Sequence, residues 1–127
     1  MKFIKIIFLA SLLAFMSFSN RTAVDGCSIL HNGTFEYMID KDKVRVVIDD
    51  ENHTEYHKGS KYVIQSKLAW VNECEYNATL VKATVPNFPF LAGTVMNVKV
   101  NKIEGKTIFY TATIKGQSFP GELKKIK

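Results

Sequence analysis

The chain has 127 residues, of which 46% are hydrophobic and 23% charged, and it carries a formal charge of +5. Those proportions suit one ordinary globular domain. No stretch interleaves basic and aromatic residues in the stripe that binds bases, which sets nucleic-acid recognition aside.

Residues 1–19 read as a secretory signal peptide. Lys2 and Lys5 give a positive start, Phe3 to Phe18 is almost wholly apolar, and Ser17-Phe18-Ser19 supplies a small-x-small cleavage site. The run is too short, and interrupted by charge too early, for a transmembrane segment. Cleavage after Ser19 leaves 15 basic and 12 acidic residues and a formal charge of +3. Lys124, Lys125 and Lys127 supply much of that excess and read as a frayed tail beside a solvated edge.

Residues 20–32 are an exposed lead-in containing Cys27. In an exported chain, Cys27 and Cys74 are most simply a disulfide. Closing the 46 residues between them would contribute on the order of 4 kcal/mol. The alternative is a lipid anchor at Cys27, because Val24-Asp25-Gly26-Cys27 has the outline of a lipobox, although Asp25 fits that motif badly.

From Gly33 onward apolar residues recur with a period of two, and 33–127 reads as one β domain. Phe35, Tyr37 and Ile39 share a face of the first strand, and Val44, Val46 and Ile48 return opposite Ile39, Tyr37 and Phe35. Asp50, Glu51 and Asn52 fit a three-residue loop with Asn in the left-handed position. That loop turns Thr54 and Tyr56 inward and leaves His53, Glu55 and His57 outside. Next comes a hairpin whose strands carry Tyr62, Ile64, Ser66, Leu68 and Trp70, then Cys74, Tyr76, Ala78 and Leu80. With Val71, Asn72 and Glu73 as its loop, Trp70 faces Cys74 and Leu68 faces Tyr76.

Pro86 to Gly93 breaks the alternation, because proline cannot donate to a ladder. Beyond it, Gly105 in a three-residue loop pairs Val100 with Ile108 and Val98 with Tyr110. Lys115-Gly116 is the last turn and sets Phe119 opposite Ala112 and Leu123 opposite Ile108. The fold expected is all-β: eight antiparallel strands in an up-and-down meander, curled into a small closed or partly open barrel. Closure is favoured because it removes two exposed edges.

The inner face so assigned holds every tyrosine of the chain: Tyr37, Tyr56, Tyr62, Tyr76 and Tyr110. A packing core would favour aliphatic residues, since each buried phenol needs a hydrogen-bond partner. These five, with Phe88 and Phe90 of the rim loop as a lid, are the candidate ligand-binding residues, and a small, partly apolar molecule is the candidate ligand. His53, Glu55 and His57 have the side-chain types of a zinc site, but along an extended strand the two histidines stand roughly 13 Å apart. They are assigned to the solvated outer face, and no metal or cofactor is expected. The chain lacks a nucleophile elbow, a free thiolate and a phosphate-cradling loop, and is read as non-enzymatic. The other functional reading is a protein-interaction, inhibitor or envelope-structural module that uses the outer face or the 86–93 loop. On either reading a monomer is expected.

The stretch Trp70-Val-Asn-Glu-Cys74-Glu-Tyr76, with Gly33-Thr34-Phe35-Glu36-Tyr37 upstream, resembles small exported proteins common in Bacteroidetes, particularly flavobacteria. That resemblance implies export and this hairpin arrangement but assigns no activity. Gly33-Thr34-Phe35 is also similar to the Gly-x-Trp start of lipocalin-type barrels, with Phe in place of Trp and no lead-in helix. It implies a lipocalin-like fold, not a lipocalin ligand.

Overall fold

A computed structural model describes residues 24–127. The expected signal peptide over 1–19, its cleavage point and the first part of the lead-in lie outside those residues. A 3-10 turn over Cys27–Leu30 leads into eight strands: β1 (Asn32–Ile39), β2 (Asp42–Asp49), β3 (Asn52–His57), β4 (Tyr62–Asn72), β5 (Glu75–Ala83), β6 (Val95–Glu104), β7 (Thr107–Ile114) and β8 (Gln117–Lys125). Each strand pairs antiparallel with the next, and β8 returns to β1 to close the barrel. No helix among the described residues is long and apolar enough to cross a membrane.

Turn chemistry sets the registers. The β7–β8 hairpin has the expected one, with Ala112 opposite Phe119 and Ile108 opposite Leu123. Lys115 and Gly116 both take positive φ, which matches the right-handed twist of the flanking strands. Three other hairpins differ from expectation by two residues. Tyr37 faces Val44, Trp70 faces Tyr76 and Val100 faces Tyr110. A shorter turn accounts for the first shift, and bulges beside Trp70 and Val100 accompany the other two. A shift of two keeps every side chain on its face, so the assigned interior survives.

The β2–β3 hairpin differs by one residue. Asp49 pairs with Asn52, so the loop is Asp50-Glu51 alone, and Asp50 rather than Asn52 takes the left-handed conformation at φ 52°. Ile48 therefore faces His53 and Val46 faces Glu55. The inward assignment of Thr54 and Tyr56 is overturned, as is the outward assignment of His53, Glu55 and His57. Three hydrogen bonds hold the turn: Asp50 N–H to His31 O at 2.9 Å, Trp70 Nε1–H to Asp50 O at 2.9 Å, and Leu68 N–H to Glu51 O at 2.7 Å.

One end of the barrel is packed solid. Leu30 of the 3-10 turn, Phe35, Ile48, Val100 and Ile108 fill it, each 3% exposed or less. Outside this plug, the Trp70 indole stacks on His31 with ring centroids 3.6 Å apart. Cys27 and Cys74 are joined as expected, with Cα atoms 5.2 Å apart. Cys74 lies in the β4–β5 turn and not opposite Trp70, and a Cys27 held in the bond has no thiol left for a lipid. The C-terminal lysines are not a frayed tail. Lys125 Nζ donates to the carbonyls of Ile29 and Asn32 at 2.8 Å each, and Lys127 exchanges backbone hydrogen bonds with Thr34.

At the opposite end the wall is incomplete. The β1–β8 ladder has two positions, Phe35–Lys125 and Glu36–Lys124, and none beyond them toward Ile39. Met38, Ile39 and Phe119, which flank this seam, are exposed.

Two outcomes test this account by denaturant titration. Replacing both cysteines by serine should lower stability by about 4 kcal/mol, the loop-closure term for this spacing. Asp50→Val should cost about 1–2 kcal/mol, because a β-branched residue resists positive φ, whereas Asp50→Gly should be close to neutral.

Candidate ligand cavity

Between the packed end and the open one lies a cavity of about 420 Å³. Its walls are mostly aliphatic, from Val46, Ile64, Leu80, Met96 and Val98, with small Ala78 and Ala112 leaving space. Phe88 and Phe90 of the 86–93 loop stand over the mouth, ring against ring at 5.8 Å in an edge-to-face arrangement. Leu91, the third large apolar residue of that loop, points away and is 82% exposed.

Strands β1, β3, β5 and β7 supply the tyrosines, the histidines and the carboxylate of the lining, and Ser66 of β4 and Thr94 just before β6 add two hydroxyls. Tyr37 and Glu55 lie on strands separated by β2, about 10 Å apart at the backbone. Their long side chains lean toward each other over Val46, and the Tyr37 hydroxyl donates to Glu55 Oε1 at 2.6 Å. His57 Nε2, two residues along the same strand, donates to the same oxygen at 3.1 Å. Tyr76 and Tyr110 also line the cavity, and their hydroxyls make no hydrogen bond to another described residue. Gly121 faces Tyr110 across the β7–β8 ladder, and a Cβ there would stand 2.4 Å from the ring. Only glycine leaves room for the phenol to lie where it does.

Electrostatics divides these groups clearly. Burial pushes the Glu55 carboxyl up. The hydrogen bond from His57, the neighbouring His53, and the hydrogen bond from Tyr37 pull it the other way and hold it below the usual carboxylate range. Glu55 is thus a half-buried residue in its carboxylate form. His53 is the reverse case: burial drives its imidazole below the ordinary histidine value, against the pull of Glu55, so it stays neutral. Its Nδ1 is buried and has no hydrogen-bond partner among the described residues. Burial raises all three lining phenols; the charge of Glu55 comes next for Tyr37 and Tyr110, while for Tyr76 the neighbouring Tyr110 precedes it. Tyr110 is pushed to about 12 and Tyr37 and Tyr76 further still. They remain neutral hydroxyls throughout the ordinary pH range.

Of the residues expected in the site, Tyr37, Tyr76, Tyr110, Phe88 and Phe90 line the cavity, and Tyr56 and Tyr62 do not. Tyr56 faces outward with β3 inverted, and the Arg45 guanidinium lies 4.4 Å over its ring. Tyr62 opens β4 opposite His57, at the rim and outside the lining. His53, Glu55 and His57, which sequence reasoning placed outside, are the additions. The signal for them was their own period of two; only the loop length decided which set faced in. Among the described residues, no three histidine, cysteine, aspartate or glutamate side chains converge as metal ligands would.

The chain matches no family model, no curated protein and no solved structure. The cavity is therefore interpreted from its own geometry, as the interior site of an eight-stranded up-and-down barrel.

His53 and Glu55 make stability depend on pH, with the sign set by which state binds more protons. As pH falls through the ordinary histidine value of 6.5, the unfolded chain takes up a proton that folded His53 refuses. Stability then falls by at most about 1.4 kcal/mol per pH unit. The Glu55 contribution is complete above the ordinary value of 4.5 and is lost as pH drops through the lower folded value. Urea midpoints should accordingly decline in two stages on acidification. His53→Leu should flatten the first stage, and Glu55→Gln the second.

Proposed function

We propose that this is an exported, non-enzymatic binding protein that holds a small, partly apolar molecule inside its barrel. The observation that carries the reading is the cavity itself: about 420 Å³ of mostly apolar space lined by a few polar groups, one of which, His53 Nδ1, is buried with no partner among the described residues. Small-molecule sites have this volume and this mixture of apolar wall and few polar groups. A barrel filled for stability alone would not retain the orphaned His53 Nδ1, since an unmet buried nitrogen costs about 1–3 kcal/mol. The protonation states favour binding over proton transfer. A carboxylate held low is a weak base, and phenols held high are poor proton donors near neutrality. The Cys27–Cys74 bond suits an oxidising compartment, which supports a secreted or periplasmic location.

The second reading, a protein-interaction or inhibitor module, draws on exposed Leu91. Met38, Ile39 and Phe119 beside the seam are exposed as well, but the two phenylalanines of the Leu91 loop are turned to the cavity mouth.

Native mass spectrometry of the protein purified from its source, before and after denaturation, tests the binding reading. A retained small molecule is expected, and Ala78→Phe, which fills the cavity, should abolish it while leaving the fold intact by circular dichroism. Recovery of the bare chain, with a protein partner lost on Leu91→Ser, would instead establish the interaction module.

A further inference from the structure

The cavity lining contains one carboxylate, Glu55, and neither lysine nor arginine. Both hydrogen bonds to that carboxylate, from Tyr37 and from His57, end on Oε1. Oε2 has no partner among the described residues. The side chain retains 16% exposure, and the cavity is the space it faces. Of the other polar groups in the lining, burial keeps His53, Tyr76 and Tyr110 uncharged, and Ser66 and Thr94 bear no charge. His57, the one that can become a cation, is turned to Oε1 and leaves Oε2 open.

From this arrangement we infer that the bound molecule is an amphiphilic amine, its apolar body between the barrel walls and its protonated amino group donating to Glu55 Oε2. The inference rests on the cavity reading proposed above and names the ligand class for that same site. An ammonium offers three donors and no acceptor, which complements an acceptor-only oxygen. A charge-assisted bond of this kind is roughly twice as strong as a neutral one. The rings of Tyr76 and Tyr110 line the same end and present aromatic surface, which also favours a cation. An anionic amphiphile of equal length would bring its head group against Glu55 with no lysine or arginine to receive it, and His57 is already engaged by that carboxylate.

Three probes with one chain and different heads test the assignment: octylamine, octanol and octanoate, each titrated into the isotope-labelled protein and followed by amide chemical shifts near neutral pH. Octylamine should shift cavity resonances and bind at least about tenfold more tightly than octanoate, with octanol between them. Glu55→Gln should bring amine and carboxylate to within about threefold of each other while octanol binding persists. The wild-type ratio decides the matter even if that variant fails to fold. Octanoate binding as tightly as octylamine overturns the inference, as does a folded Glu55→Gln variant with an unchanged ratio. If octanol binds and the amine gains nothing over it, the charge assignment falls and the cavity reading stands. If none of the three binds, both fall.

Discussion

A two-residue turn at Asp50-Glu51 decides which face of β3 the barrel encloses. Because strand side chains alternate, one residue more in that loop would exchange His53, Glu55 and His57 for Thr54 and Tyr56. The turn is fastened from outside itself, by His31, Leu68 and the Trp70 indole. His31 is in turn pinned by stacking on Trp70 and by a 2.9 Å hydrogen bond from its Nε2 to Glu73 O. Glu73 adjoins Cys74, and Cys74 is bonded to the 3-10 turn that precedes His31. Disulfide, indole and tight turn thus form one mechanical unit. That unit stands at the closed end of the barrel, while the carboxylate it positions serves the cavity.

The two ends of the molecule have different physical roles. At the closed end, Leu30, Phe35 and their neighbours are packed to exclusion of water, and the barrel draws its apolar stability there. Toward the mouth the same alternation continues, but alanine replaces larger residues and polar side chains replace aliphatic ones. Each open polar group in that half lowers stability relative to a filled barrel of equal size. The hollow half is a cost that the packed half must offset, which is why both the plug and the disulfide matter to a site they do not touch.

Much of the fold was legible in the sequence because its hairpins are local and one face of each strand is apolar. Errors in loop length at Asp40, Val71 and Gly105 shifted the registers by two and left Tyr37, Tyr76 and Tyr110 inside. β3 lacked that protection. Neither of its faces is clearly apolar, so hydrophobic pattern could not choose between His53-Glu55-His57 and Thr54-Tyr56. The choice passed to the turn, where Asn52 is a plausible left-handed residue and Asp50 is the actual one. Tyr56 leaves the interior with that turn, and outside it lies under the Arg45 guanidinium. Tyr62 keeps the expected face but, as the first residue of β4, stands at the rim, outside the lining. The cavity volume likewise depends on how far the barrel closes, a property of all eight strands together.

The short seam between β1 and β8 bears on the order in which the molecule assembles. Every other pairing joins strands adjacent in the chain, so those hairpins can zip in sequence with little loss of chain freedom. The first strand meets the last only when the whole ribbon has curled, and it does so over two ladder positions and the Thr34 contacts with the C-terminus. Ring closure is thus the step with the greatest entropic cost and the fewest bonds to reward it. Once formed, the same seam is the place where the ring can open without disturbing any hairpin, and that opening begins at the cavity mouth.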